Sequence, residues 1–263
     1  SVMAKVIVMT RFRTRALLAA LPLMMVAAPA FAAEPAYDLK AQSEKLAVIE
    51  MKPDTAFLSA EERDVVNLLI KASDLMTEIY LRQRSVDNPQ TRRAVMMNRR
   101  ADRDLLVEMF DRNLGPWDAM AELHPFWGTK AMPEGAGFYP KDLTREEFDA
   151  YLVAHPDQKA QLTSLYTVVR RDGAKLKAVP YSVEYKEWLE PAAQLLEQAA
   201  AKTTNASLKK FLTLRAKAFR DDDYFVSELA WMDLEGTPIE VAIGPYEVYT
   251  DRLRGGKAAF ESF

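Results

Sequence analysis

Two residues near the end of this 263-residue chain, Glu247 and Tyr249, are of types that could act together on one substrate. They stand in the run Gly244-Pro245-Tyr246-Glu247-Val248-Tyr249, where period-two alternation reads as a short strand. In such a strand Tyr246 and Val248 point one way, Glu247 and Tyr249 the other. One face therefore offers a carboxylate, which can hold a cation, beside a phenol, which can donate a hydrogen bond to an oxygen. The plainer alternative is a surface carboxylate next to a tyrosine packed at a sheet edge.

Other reactive constellations are missing. There is no cysteine, which removes disulfides, thiolate metal sites and a cysteine nucleophile. The two histidines, His124 and His155, each precede a proline and lie too far apart in sequence for a two-histidine zinc helix. The chain has no phosphate loop, dinucleotide fingerprint or G-x-S-x-G elbow. Its net charge of -3 and lack of a basic run argue against nucleic acid or an anionic membrane surface as partner.

The elements that must position the pair are mostly helical. At 49% hydrophobic and 28% charged, the chain can bury a sizeable core. Residues 1–33 read as a signal peptide: Arg11, Arg13 and Arg15 precede the apolar run Ala16 to Ala28, and Ala30-Phe31-Ala32 matches a cleavage site. That run is short against the ~20 residues needed to span a bilayer. The expectation is an exported, periplasmic protein cleaved near Ala32/Ala33, with no stable membrane anchor.

Residues 34–162 read as an N-terminal helical region. Helices are predicted over Leu39 to Met51, from a Ser59/Glu62 capping box through Ile79, from Asp87-Asn88-Pro89 continuously to Asn113, and from a Thr144/Glu147 capping box to Pro156. The arginines and acids between Arg92 and Asp111 read as a solvated helix face. An aromatic, Gly- and Pro-rich loop covers 117–139.

Residues 163–263 read as a mixed region. A hairpin turns at Asp172-Gly173, helices follow from Val183 to Lys202, after Asn205 and from Asp221 to Trp231, and two extended segments occupy Ile239 to Ile243 and Tyr246 to Tyr249. A kink or break is expected at Pro191. The fold class is α+β, predominantly α-helical, with a few strands within 163–181 and 238–250.

Four blocks give a family resemblance: GPYEVYTD at Gly244 to Asp251, GKAAFESF at Gly256 to Phe263, the stretch Ala178 to Ala200, and SLKKFLTLRAKAF followed by DDDYFVSELAWMDL up to Leu234. Together they resemble the zinc-dependent dipeptidyl peptidase III family, in its bacterial and plant-type branch. The resemblance implies a two-lobed peptidase in which these strands belong to a β-barrel-like core. It also implies zinc, held in the other lobe by an H-E-x-x-G-H helix and a later glutamate, neither of which is in this sequence. The expectation is an N-terminal part of a longer exopeptidase that releases dipeptides from short peptides, lacks its C-terminal zinc lobe and binds no metal by itself. Glu247 matches the family's glutamate for the peptide's free amino end, and Tyr249 its tyrosine on the scissile carbonyl oxygen. Arg254-Gly255-Gly256 departs from the family, where aromatic residues flank a glycine. The alternative is a non-enzymatic exported helical module that binds peptide or is purely structural.

Overall fold

The computed structural model describes residues 36–263, so the predicted signal peptide lies outside the described residues. Asp38–Phe263 form one compact unit. The ten helices and six strands among the described residues run in this order: α1 (Leu39–Ser43), α2 (Ala60–Arg84), α3 (Asn88–Met97), α4 (Arg103–Asn113), β1 (Trp117–Asp118), β2 (His124–Pro125), α5 (Arg145–Ala154), α6 (Lys159–Leu162), β3 (Thr167–Asp172), β4 (Lys175–Pro180), α7 (Tyr181–Glu184), α8 (Lys186–Lys202), α9 (Ala206–Asp221), α10 (Phe225–Met232), β5 (Ile243–Glu247) and β6 (Ala259–Ser262).

α2 is the central strut. Ser59 Oγ accepts from Glu62 N at 3.2 Å and the Glu62 carboxylate accepts from Ser59 N at 2.7 Å, so the predicted capping box is complete. Val65, Leu69, Ala72, Met76 and Ile79 are buried at three- and four-residue spacing against α8, which packs in turn on α9. Thr144 caps α5 by accepting from Glu147 N at 3.1 Å. Its box is only half made, because Glu147 turns its carboxylate to Arg171 at 3.0 Å.

Several boundaries differ from expectation. α1 stops at Ser43, whose hydroxyl donates to Lys40 O at 2.8 Å, and Val48, Ile49 and Met51 beyond it are exposed. With no apolar face to bury, so short a helix does not propagate. The helix expected over 88–113 is two. Asn98 turns extended, donates its side chain to Val95 O and accepts from Arg100 N, competing with the helical backbone. The charged residues there pair across the gap, Arg92 Nε reaching Asp111 Oδ1 at 2.6 Å. The break near Pro191 falls instead at Tyr185, and Pro191 stays inside α8.

The strands form three separate antiparallel pairs, β1-β2, β3-β4 and β5-β6; among the described residues there is no closed or barrel-like sheet. The physical reason is visible at β6. Gln83, on the last turn of α2, accepts from Phe260 N at 2.8 Å and donates to Ala258 O at 3.3 Å. A side-chain amide thus sits on the strand edge where another strand would pair. The first extended segment is also shorter than read: Ile239 and Val241 are buried but unpaired, and the ladder begins where Ala242 and Phe263 exchange backbone hydrogen bonds of 3.0 and 2.8 Å. The predicted β3-β4 hairpin is present, with Asp172 opposite Lys175 and Gly173 at φ +60 in its turn.

Candidate functional site

Glu247 is the last residue of β5, and Tyr249 follows in the turn beyond it. Both are exposed while Tyr246 and Val248 are half-buried, so the alternation continues past the strand end. The β5-β6 register shifts between Pro245 and Glu247, a bulge that re-aims the strand's last residues. Upstream, Gly244 has φ +155, and a Cβ there would lie 2.4 Å from Arg215 Nη1, so glycine lets β5 close onto a buried guanidinium. That guanidinium, fully buried on α9, donates to Glu228 Oε1 at 2.5 Å and lies 5.6 Å from the ring of Tyr246.

Downstream, Asp251 fixes the loop. Its carboxylate accepts from the backbone N–H groups of Leu253 and Arg254 at 3.0 Å and Gly256 at 2.8 Å, and from the Tyr139 hydroxyl at 3.1 Å. Lys257, fully buried beyond it, donates to Leu162 O, Ser164 O and Thr167 Oγ1 at 2.7, 2.8 and 2.9 Å. The family departure at Arg254-Gly255-Gly256 therefore falls in a loop pinned by one carboxylate and one amine.

Glu247 and Tyr249 line one cleft of about 230 Å³ between α2 and the β5-β6 ribbon. Met76, Thr77 and Tyr80 form its helical wall, and Ala259 to Phe263 form its other side. The structure thus brings the two predicted site residues together. It adds three that sequence reasoning missed. Glu261 lines the same cleft from β6; burial and then the nearby Glu247 charge push its carboxyl up from the ordinary range. Tyr80 contributes a second phenol, and Thr250 shares a hydrogen bond with it. Alternation could have flagged Glu261 within GKAAFESF, but nothing local connects Tyr80 to this ribbon.

Partial burial, followed by the neighbouring Tyr80, Glu247 and Glu261, raises the Tyr249 phenol above its ordinary value. At neutral pH it keeps its proton and can donate. The cleft thus offers two carboxylates for a cation and a phenolic donor for an oxygen.

Among the described residues, no group of three or more His, Asp or Glu side chains is placed to hold a metal ion. His155 Nδ1 lies 3.0 Å from Tyr151 O and its ring stacks on Tyr151 at 3.9 Å, a helix-end role, while His124 is in β2. No described helix is long and apolar enough to cross a membrane.

No family model matches the chain. Among solved structures, DPP III from Caldithrix abyssi superposes with a TM-score of 0.83 at 46% identity, covering 85% of this chain and 43% of that one. Dipeptidyl-peptidase III from Corallococcus sp. strain EGB gives 0.82 at 36% identity, covering 86% and 42%. Among curated proteins, Nudix hydrolase 3 of Arabidopsis thaliana is 27% identical in an alignment 277 positions long that covers 86% of this chain and 36% of that protein. The chain thus spans less than half the length of the relatives it matches. Over the part that it spans, the chain is similar in sequence and in fold to these dipeptidyl peptidase III structures.

Proposed function

We propose that this chain supplies the substrate-holding part of a zinc-dependent exopeptidase that releases dipeptides from the amino end of short peptides. The observation that carries the reading is the shared cleft: Glu247 and Tyr249 line one pocket, with the phenol held in its protonated, donating form. In this reading Glu247 takes the peptide's α-ammonium, measuring the bound peptide from its free end, and Tyr249 donates to the oxygen of the bond to be cut. Glu261 adds negative potential beside the ammonium. Zinc and the water-activating base would come from polypeptide beyond this chain.

The test uses the zinc-loaded protein that contains this chain. Glu247→Ala is expected to raise KM for free-amine peptides by about 10–100-fold, the loss of one charge-assisted hydrogen bond, and to do little for the same peptides N-acetylated. An unchanged KM for free-amine peptides would remove the assigned role. The reading includes export. Amino-terminal sequencing of the protein recovered from the periplasm should start near Ala33, and recovery with the leader intact in the cytoplasm would refute that part.

A further inference from the structure

Helix α10 carries its large apolar residues on the outside. It packs on α9 and buries Ser227 and Ala230, whereas Phe225, Leu229 and Met232 recur at four- and three-residue spacing on the outer face, 69%, 46% and 74% exposed. Val226, 50% exposed, widens that stripe. The one charged residue of the helix, Glu228, is committed to the buried Arg215, so the stripe has no charge of its own. A surface helix normally turns its polar side to water, and a helix apolar on both sides is covered on both. An exposed stripe of this kind marks an interface.

Beside the stripe, Trp231 of α10 and Phe263 line one hollow of about 270 Å³ with Tyr246. Phe263, 80% exposed, is held there by its backbone exchange with Ala242, so polypeptide continuing from it would emerge next to α10. The two dipeptidyl peptidase III structures match this chain over only 43% and 42% of their own lengths, so such proteins hold more polypeptide that could cover the stripe. A second copy is the poorer occupant. Asp223, Asp233 and Glu235 are exposed around the two ends of α10, and Lys210 answers only Asp233, at 3.7 Å. A two-fold pairing of α10 with itself would set these acids against one another.

We propose that the outer face of α10 seats an apolar segment of the polypeptide that follows Phe263 in a longer protein, joining this chain to the remainder of that protein. The proposal rests on the reading of the chain as one part of a longer peptidase. Phe225, Leu229 and Met232 form the ridge that the segment covers, and none of them lines the Glu247 cleft.

Met232 supplies the probe. The longer protein is exposed to dilute hydrogen peroxide, and sulfoxide formation is followed methionine by methionine by mass spectrometry, folded and in guanidinium. Met232 should oxidise at least about tenfold more slowly in the folded protein, approaching Met76, which is 1% exposed. The protection should be unchanged on dilution. Oxidation of Met232 at its unfolded rate overturns the proposal, and so does protection lost on dilution, which would make the occupant a second copy. Leu229→Gln, first shown to be folded by circular dichroism, should restore most of the lost reactivity, and an unmoved rate in that variant counts against docking on this face. Dipeptide release is measured on the same sample. Release with an open Met232 sinks the docking alone, whereas a protected Met232 without release supports the docking and sinks only the peptidase reading.

Discussion

The hydroxyls of Tyr80 and Thr250 meet at 3.3 Å, tying the C-terminal end of α2 to the turn that carries Tyr249. Tyr80→Phe removes that tie while keeping the ring in the cleft wall. It should cost about 0.5–1.5 kcal/mol in urea denaturation. In an assay of the proposed peptidase activity, turnover should fall while KM for free-amine peptides is kept. A normal kcat with the expected stability loss would mean the bond serves the fold alone.

Glu261 offers a titration test. Burial raises its carboxyl first and the Glu247 charge second, so Glu247→Gln should lower the Glu261 pKa without returning it to the ordinary 4.5, as followed by carboxyl-carbon NMR. Above pH 4.5 the native state holds this proton better than the unfolded chain does. Glu261 therefore makes stability decline as pH rises through that range, and Glu247→Gln should flatten the decline. An unmoved Glu261 titration would separate the two carboxylates.

Lys257 should govern stability at the alkaline end. Burial pushes its amine down to about 7 from the ordinary 10.5, opposed by the Asp251 charge, with the Tyr139 ring and three oxygen acceptors facing it. Between these values the unfolded chain binds more protons than the native one, so stability should rise with pH across that window. Lys257→Met should abolish the rise and cost about 1–3 kcal/mol at pH 9 by stranding buried acceptors. Denaturation curves at pH 7, 8 and 9 would show this, and parallel profiles for both proteins would contradict it.

Arg215 and Glu228 form a pair whose halves are unequally buried, the guanidinium fully and the carboxylate with 38% of its side chain exposed. Arg215 Nε and Nη1 receive no described hydrogen-bond acceptor, and the rings of Phe211, Tyr224 and Tyr246 surround the cation at 5.3 to 5.6 Å. Glu228→Ala should cost about 3 kcal/mol, the low end for buried pairs because Glu228 keeps part of its solvation. Glu228→Ala combined with Arg215→Met should be milder than the single change. Equal losses in guanidinium denaturation would show that the rings alone hold the charge.

Local signals were the legible ones. The Ser59/Glu62 box, the α2 apolar spacing and the Asp172-Gly173 hairpin all depend on neighbours within a few residues, and each is present. Glu247 and Tyr249 were legible as a pair because strand alternation is also local. What escaped was set by distant partners: Tyr80 lies 170 positions from Thr250, and Arg215 meets Gly244 through a turn of backbone that no pattern in α9 announces. The split between α3 and α4 turns on Asn98 bonding to its own backbone, a choice the charge pattern around it conceals. The barrel-like sheet failed for the same reason, since the group occupying the β6 edge is a helix side chain.

That side chain has a kinetic consequence. Gln83 joins Phe260 across 177 positions of sequence, so β6 can dock on α2 only after nearly the whole described chain has been made and brought together. Loop closure of that length is entropically late. The helices can gain their hydrogen bonds early, whereas the cleft containing Glu247 and Tyr249 has no second wall until this last docking. Pulse-labelled hydrogen exchange would then find the Phe260 amide among the slowest to be protected, and the proposed capacity to hold a peptide would emerge as the closing event of folding.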